Sequence, residues 1–193
     1  QTYTAVADRV VLIRPGCFCS PRTVRQPGTV RTIVSFGQFI PRGGYDVLLD
    51  ALARLQTQGM DFAAFLFGAG PLEYVLRRQT RRLGLGSKVT FLHPLANWHR
   101  LLEESDLYVQ PGPLQQLHEG PYLALAHGCP VISPPETAFD LLEPGRTGAT
   151  FPAGRADALA DVLGKWLADP AGLQALSQSA LARARELLSM SGS

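Results

Sequence analysis

Short β-rich runs alternate with longer amphipathic stretches along most of this chain. Six apolar runs, each bordered by turn-forming residues, predict buried strands at residues 32–36, 62–67, 89–92, 107–110, 130–133 and 148–151. Between and after them, apolar positions recur at helical spacing. They predict helices at residues 45–55, 72–83, 98–104, 121–127, 137–142, 156–168 and 172–189. Strand-helix alternation with short loops is typical of a parallel sheet covered on both faces by right-handed crossovers.

The same pattern divides the chain into three parts. Residues 1–30 are rich in loops, with one strand candidate at 9–13, and we expect them to form an interdomain strand and linker. Residues 31–170 hold the regular alternation and form the predicted α/β domain. Residues 171–193 hold the last helix, which no strand follows, so it should pack back on the domain.

Composition excludes several classes of protein. With 193 residues, 46% hydrophobic, 18% charged and a net charge of +2, the chain is neither disordered nor strongly basic, and nucleic acid is not expected as a partner. The sequence has no apolar run near the roughly 18 residues that span a bilayer. The first residues lack a secretion-signal pattern, so we expect a cytoplasmic protein. Because the chain begins with Gln1, we expect it to be part of a longer one.

The three cysteines do not predict a disulfide framework. Cys17 and Cys19 lack a second pair of thiols, so two small buried cysteines are favoured over a zinc site. The sequence also lacks an Asp-x-Asp pair to hold a divalent metal on a diphosphate. We therefore expect neither a metal nor another cofactor.

In a parallel α/β sheet, ligands bind outside the carboxyl ends of the strands. The predicted loops at this edge are residues 37–44, 68–71, 93–98 and 111–121. Three of them carry glycine, which allows the backbone to approach an anion closely, and helix N-termini favour phosphate. His93 and His118 fall on the same edge. The sequence therefore predicts a small ligand that carries phosphate, but the G-x-G-x-x-G, P-loop and G-x-S-x-G motifs are absent.

Seven short motifs occur in one order and at near-native spacing. They are IRPG at 13–16, SFGQFIPRGG at 35–44 followed by LLDA at 48–51, GAGP at 68–71, VTFL at 89–92, SDLYVQP at 105–111, AHGCPVI at 126–132 and GRTG at 145–148. Together they resemble the C-terminal half of a family-four glycosyltransferase of GT-B fold. The resemblance covers nearly the whole chain and implies a Rossmann-like domain, one half of the GT-B fold, that binds a nucleotide-sugar donor.

The resemblance implies a retaining transfer of the sugar to an acceptor that the missing N-terminal half binds. An Arg and a Lys of the first glycine loop would hold the diphosphate, together with the N-terminus of the helix before the A-x-G-x-P-V motif. Two glutamates eight residues apart would contact the donor sugar and the ribose. The implied donor-binding residues are Gly37, Gln38, Arg42, Gly68, Gly70, Pro71, His93, Gln115, His118, Glu119, Gly120 and Leu123. No catalytic residue can be nominated.

The sequence departs from the family pattern at each diagnostic position. Counting back from Gly128, the second glutamate falls on Leu123 and the first on Gln115. The family Arg falls on Gln38 and the Lys on Gly43, which is next to Arg42, a side chain long enough to serve. Fewer cations should weaken diphosphate binding, since each charge-assisted hydrogen bond contributes about 1.5–3 kcal/mol.

The pair Glu119-Gly120 offers a second register, in which Glu119 is the first glutamate and about one helical turn is deleted. In the favoured register, Glu119 instead precedes a helix, where its carboxylate would occupy amide donors that phosphate normally uses.

Three functions remain open at this point. The first is a working sugar transferase with a rewired donor pocket. The second is a catalytically degenerate transferase-like domain that serves as a binding or assembly partner, for instance of a homologous transferase subunit. The third is an isomerase or epimerase acting on a nucleotide sugar.

Four arginines form a basic helix face, namely Arg77, Arg78, Arg81 and Arg82. A solvated face explains such a cluster, and contact with anionic lipid or polymer explains it as well. A peripheral position at a membrane surface therefore stays open beside the cytoplasmic one.

Overall fold

The computed structural model describes residues 30–93, 98–112, 120–137 and 142–190. The strand candidate at 9–13, the first motif at 13–16 and both cysteines near it lie outside these residues. The strands are β1 (Arg31–Phe36), β2 (Phe62–Phe67), β3 (Val89–Leu92), β4 (Leu107–Val109), β5 (Val131–Ser133) and β6 (Gly148–Thr150). The helices are α1 (Tyr45–Thr57), α2 (Glu73–Arg82), α3 (Trp98–Glu103), α4 (Gly120–Ala126), α5 (Ala156–Ala168) and α6 (Pro170–Met190).

The six strands of the described residues form one parallel sheet in the order β3-β2-β1-β4-β5-β6. β1 and β2 pair over their full length, from Arg31 opposite Phe62 to Phe36 opposite Phe67. The strand order reverses between β1 and β4, so this is the topological switch point of the sheet. The predicted α/β, Rossmann-like fold is confirmed.

Helices cover both faces of the sheet, and each face has its own apolar cluster. In the first cluster, Ile33, Ala64 and Leu107 of the sheet pack with α1, α2 and α5. In the second, the alternate sheet residues Val34 and Tyr108 pack with α3, α4 and α6. This alternation follows from the two-residue period of a strand, and burial on both faces explains why short, mostly apolar runs predicted the strands.

The last helix, α6, packs against α4 and α5. The hydroxyl of Ser177 in α6 donates a hydrogen bond to the carbonyl of Gly128, just after α4. Among the residues that the structure describes, no helix combines the length and the apolar content needed to cross a bilayer.

One predicted helix, residues 137–142, is described only at its two ends. Instead of a helix from residue 137, a 3-10 turn spans Pro135–Thr137, and Leu142 lies outside any helix. The Thr137 hydroxyl donates to the carbonyl of Pro134 at 2.7 Å, which closes the turn locally. Residues 138–141 lie outside the described residues.

Candidate functional site

The loop after β1 turns sharply at the carboxyl edge of the sheet. Pro41–Gly43 form a 3-10 turn that begins with proline, whose fixed φ suits the first position of a helix. Gly44 then adopts a left-handed conformation, with φ of +72°, and its carbonyl accepts the Leu48 N–H as α1 begins. This turn leaves Arg42 exposed at the edge of the sheet.

The loop after β2 is fastened to the loop after β1 through the backbone. The Phe39 N–H donates to the Ala69 carbonyl at 3.0 Å, and the Leu72 N–H donates to the Phe39 carbonyl at 2.9 Å. A Cβ on Gly68 would collide with the carbonyl oxygen of Gly37. A Cβ on Gly70 would lie 2.8 Å from the backbone nitrogen of Phe39. Both glycines are therefore required because a neighbouring backbone occupies the space of a side chain.

The loop after β1 also interlocks with the loop after β4, across the switch point. A Cβ on Gly44 would lie 2.6 Å from the carbonyl carbon of Pro111, and one on Gly112 would lie 2.6 Å from that of Gly43. Two glycines thus let two backbone segments cross in direct contact.

Buried side chains at the carboxyl end of β4 support the same crossing of the two loops. The Tyr108 hydroxyl lies 3.3 Å from the Phe36 carbonyl oxygen and 3.2 Å from Oε1 of Gln110. Nε2 of Gln110 donates to the Gly112 carbonyl at 3.3 Å. Burial, followed by the neighbouring Tyr45, raises the pKa of Tyr108, so its hydroxyl stays protonated. The network therefore holds the Gly112 loop against the end of β1.

An open cavity of about 250 Å³ lies at this crossing. Its lining residues are Pro41, Arg42, Gly44, Asp46, Val47, Pro111, Gly112 and Gly154. In this lining, Arg42 is the cation and Asp46 the carboxylate. A guanidinium beside glycine backbone can grip a phosphate group with paired hydrogen bonds, whereas the carboxylate opposes an anion.

The structure brings part of the predicted donor-binding set together. Gly37, Gly68 and Gly70 meet where the first two loops are fastened, and exposed Gln38 and Pro71 lie in the same loops. Arg42 lines the cavity. His93 is exposed at the end of β3, which β2 separates from β1.

The remaining predicted residues belong to α4 and the segment before it. Gln115, His118 and Glu119 lie outside the described residues. Gly120 is the buried first residue of α4. Leu123, in the middle of α4, is half-buried and packs against the second apolar cluster. Its correspondence to a ribose-binding glutamate stays a prediction.

The predicted donor-binding residues leave out most of the cavity lining, although part of it lies in the loops at 37–44 and 111–121 that were predicted to bind a ligand. Gly44, Asp46, Pro111 and Gly112 line the cavity because two loops cross there. The Gly43-Gly44 and Pro111-Gly112 pairs were the available signal, since each marks a turn directly after a predicted strand.

A parallel sheet with a glycine-lined cavity at its switch point defines the class of α/β domains that bind small ligands at this edge. The profile of the family described as "Glycosyl transferases group 1" matches residues 30–169. The chain belongs to this family of glycosyltransferases, and the resemblance seen in the motifs is confirmed.

Two curated relatives show how much of a longer protein the chain matches. It is 28% identical over 153 residues to the putative colanic acid biosynthesis glycosyltransferase WcaL of Escherichia coli (strain K12). It is 30% identical over 152 residues to the GDP-mannose-dependent alpha-(1-6)-phosphatidylinositol monomannoside mannosyltransferase of Mycolicibacterium smegmatis. These matches cover 75% and 72% of this chain but only 38% and 39% of the relatives.

Solved structures agree with this coverage. Anabaena HepE, crystallised in complex with UDP and glucose, is 26% identical, with a TM-score of 0.72 over 82% of this chain and 44% of its own. The separately crystallised C-terminal domain of the group 1 protein LpcC from Francisella tularensis has a TM-score of 0.72 at 18% identity. That match covers 83% of this chain and 86% of the domain, so the two share a fold.

Proposed function

We propose that this chain is the donor-binding half of a retaining glycosyltransferase, which moves a sugar from a nucleotide-diphosphate donor to an acceptor. The donor's diphosphate lies in the cavity at the switch point, against Arg42 and the glycine backbone. The sugar extends toward the segment before α4, where Gln115 is the predicted contact for its hydroxyls. The part of the protein that binds the acceptor lies outside this chain, as the partial coverage of the relatives suggests.

The observation that carries this proposal is the position of Arg42. It is the cation of a cavity formed where the loops after β1 and β4 cross, and ligands of open α/β sheets bind at this point. Relatives add the chemical class of the ligand, since HepE was crystallised with UDP-glucose and the mycobacterial relative is named for its use of GDP-mannose.

A second function is favoured by the charges of the same cavity. Asp46 offsets the charge of Arg42, and the two positions where the family places cations hold Gln38 and Gly43. A domain with so little positive charge fits a catalytically degenerate partner that keeps the scaffold for binding or assembly.

Calorimetric titration with UDP, GDP, UDP-glucose and GDP-mannose separates the two functions. The donor-binding proposal predicts binding to one of these nucleotides, weakened about 10- to 100-fold by Arg42→Gln. Arg54→Gln removes an exposed arginine in the last turn of α1, which does not line the cavity, and it should leave binding unchanged. If none of the four ligands binds, the degenerate partner is the better description. If a nucleotide binds equally well to both variants, Arg42 does not contact the diphosphate.

Restoring the family pattern tests the assignment of positions. Gln38→Arg together with Leu123→Glu should tighten diphosphate binding if these positions face the donor. Because Leu123 packs against apolar neighbours, Gln38→Arg is also measured alone. No gain in either variant would contradict the assigned register.

A further inference from the structure

The outer face of α2 combines exposed apolar and cationic side chains. Tyr74 is 70% and Val75 53% exposed, and with Val30 they are the large apolar side chains that the described ranges leave open to solvent. Three arginines complete the face, namely Arg78, Arg81 and Arg82, all exposed. Spacings of three, four, seven and eight residues place these five side chains on one side of the helix.

Contacts on the opposite side fix the rotation of α2. Leu76 and Thr80 are buried against the domain. Gln79 donates to Oδ1 of Asp50 at 2.8 Å and to the Asp46 carbonyl at 3.1 Å. The five outward side chains therefore form a fixed surface, the α2 face.

The α2 face is strongly positive. Arg77 forms an ion pair with Glu73 at 2.8 Å and so neutralises the acidic residue of the first turn of α2. Its guanidinium group also stacks on the ring of Phe91. Within the described parts of the chain, the guanidinium groups of Arg78, Arg81 and Arg82 make no ion pair. Three cations within two helical turns repel one another unless an anionic partner or salt screens them.

We propose that the α2 face docks on the surface of an anionic lipid bilayer. The arginines meet the headgroup charges, while Tyr74 and Val75 enter the interface, where an aromatic ring with a polar tip is favoured. A soluble polyanion would engage the arginines but leave the apolar pair in water, so the mixed chemistry selects the lipid surface.

The position of the α2 face gives docking a consequence for the cavity. α2 begins directly after the loop that is fastened to Phe39, so Tyr74 lies at the carboxyl edge of the sheet. Because α2 has ten residues and is only about 15 Å long, the whole α2 face lies within about that distance of the carboxyl edge. Docking of the α2 face therefore places this edge of the sheet next to the bilayer. The inference does not depend on whether a nucleotide binds.

Vesicle flotation of the whole chain tests the proposal. Vesicles of equal parts phosphatidylglycerol and phosphatidylcholine should carry the protein, and pure phosphatidylcholine vesicles should not. The triple variant Arg78→Gln, Arg81→Gln, Arg82→Gln should bind about 100-fold more weakly, because each arginine near an anionic surface contributes about fivefold. A matched variant with Arg100→Gln, Arg155→Gln and Arg185→Gln loses the same charge elsewhere and should bind like the parent protein.

The apolar pair and a competing polymer complete the test. Tyr74→Ser with Val75→Ser should also weaken vesicle binding severalfold, and circular dichroism verifies that each variant is folded. Equal binding to both vesicle types, or equal loss in the two arginine variants, would overturn the proposal. It is also overturned if polyphosphate binds through the same arginines while the serine variant keeps full vesicle binding, because the face would then be a polymer site.

Discussion

The two halves of the sheet differ in strand length and in how far single side chains supplement the backbone contacts. In the half formed by β1, β2 and β3, the strands have six, six and four residues, and backbone hydrogen bonds fasten the loops after β1 and β2 to each other. There, glycine is required because a second backbone lies where a side chain would start.

The half formed by β4, β5 and β6 has strands of only three residues. Single side chains reinforce it. Asp106, which is buried, accepts a hydrogen bond from the Thr32 N–H at 2.7 Å and so ties β4 to β1. The buried Thr147 hydroxyl accepts the Glu143 N–H at 2.7 Å before β6.

The comparison of the two halves separates motif residues that stabilise the fold from residues that can contact a ligand. The glycines at 68 and 70, and the aspartate of the SDLYVQP motif, are explained by the scaffold alone. They therefore identify the fold without identifying the chemistry. A charged side chain in the cavity, such as Arg42, carries the information about the ligand.

The largest expected effect is at Gly68. Gly68→Ala should destabilise the domain by about 3 kcal/mol or more, because the new Cβ would overlap a backbone carbonyl that cannot move alone. Gly86→Ala is the matched control, since a Cβ there has no atom within 4 Å. Urea unfolding measures both variants, and similar midpoints would show that the first half tolerates a side chain at the crossing.

A side chain of the second half should come next. Asp106→Ala removes the carboxylate that accepts the Thr32 N–H and should lower the free energy of unfolding by about 2–3 kcal/mol. Asp106→Asn keeps an acceptor, so its loss should be clearly smaller. Equal losses in the two variants would mean that the hydrogen bond to β1 is not what the residue contributes.

Alkaline pH should act on both halves through buried tyrosines. Burial raises the pKa of Tyr45 and of Tyr108, so the unfolded chain loses these protons at lower pH than the folded one. The stability is thus present below the unfolded pKa, about 10, and falls above it by about 1.4 kcal/mol per pH unit for each tyrosine. Tyr45→Phe should reduce this slope in unfolding measured from pH 9 to about 11; an unchanged slope contradicts the assignment.

The smallest effect is expected at a solvent-exposed ion pair. Asp157 pairs with Arg155 through side chains that are 44% and 63% exposed. This hydrogen bond, with one from the Ala158 backbone, lowers the pKa of Asp157, so any stability it gives is present above the ordinary aspartate pKa and lost as pH falls. Because water and salt screen the pair, Asp157→Asn should leave the neutral urea midpoint unchanged at physiological salt. A clear shift of the neutral urea midpoint would show that exposed ion pairs also stabilise the fold.

Strand positions were accessible from sequence because they depend on local signals. β2 and β3 match their predicted bounds, since the apolar run of β2 ends just before Gly68 and that of β3 ends just before His93. α5 likewise matches, because its apolar spacing stops at Asp169-Pro170. The start of the helix expected from residue 137 was not accessible, because Pro134 and Pro135 favour a tight local turn that apolar spacing does not reveal.

The cavity was less accessible from sequence because it depends on contacts between distant segments. Gly44 and Pro111 are 67 positions apart, and only the strand order brings their backbones together. The alternation of elements indicated which edge of the sheet binds a ligand. It did not indicate that Asp46 would share the lining with Arg42, since that depends on how α1 leaves its turn.

The crossing of residues 43–44 with 111–112 also limits how this domain can change over time. Each of the two loop segments fills the space beside the other. An insertion or deletion in one loop therefore has to be matched by a change in the other. Exchange of outward side chains meets no such barrier. A lineage can therefore alter the charge of the cavity one residue at a time while the path of the main chain stays the same.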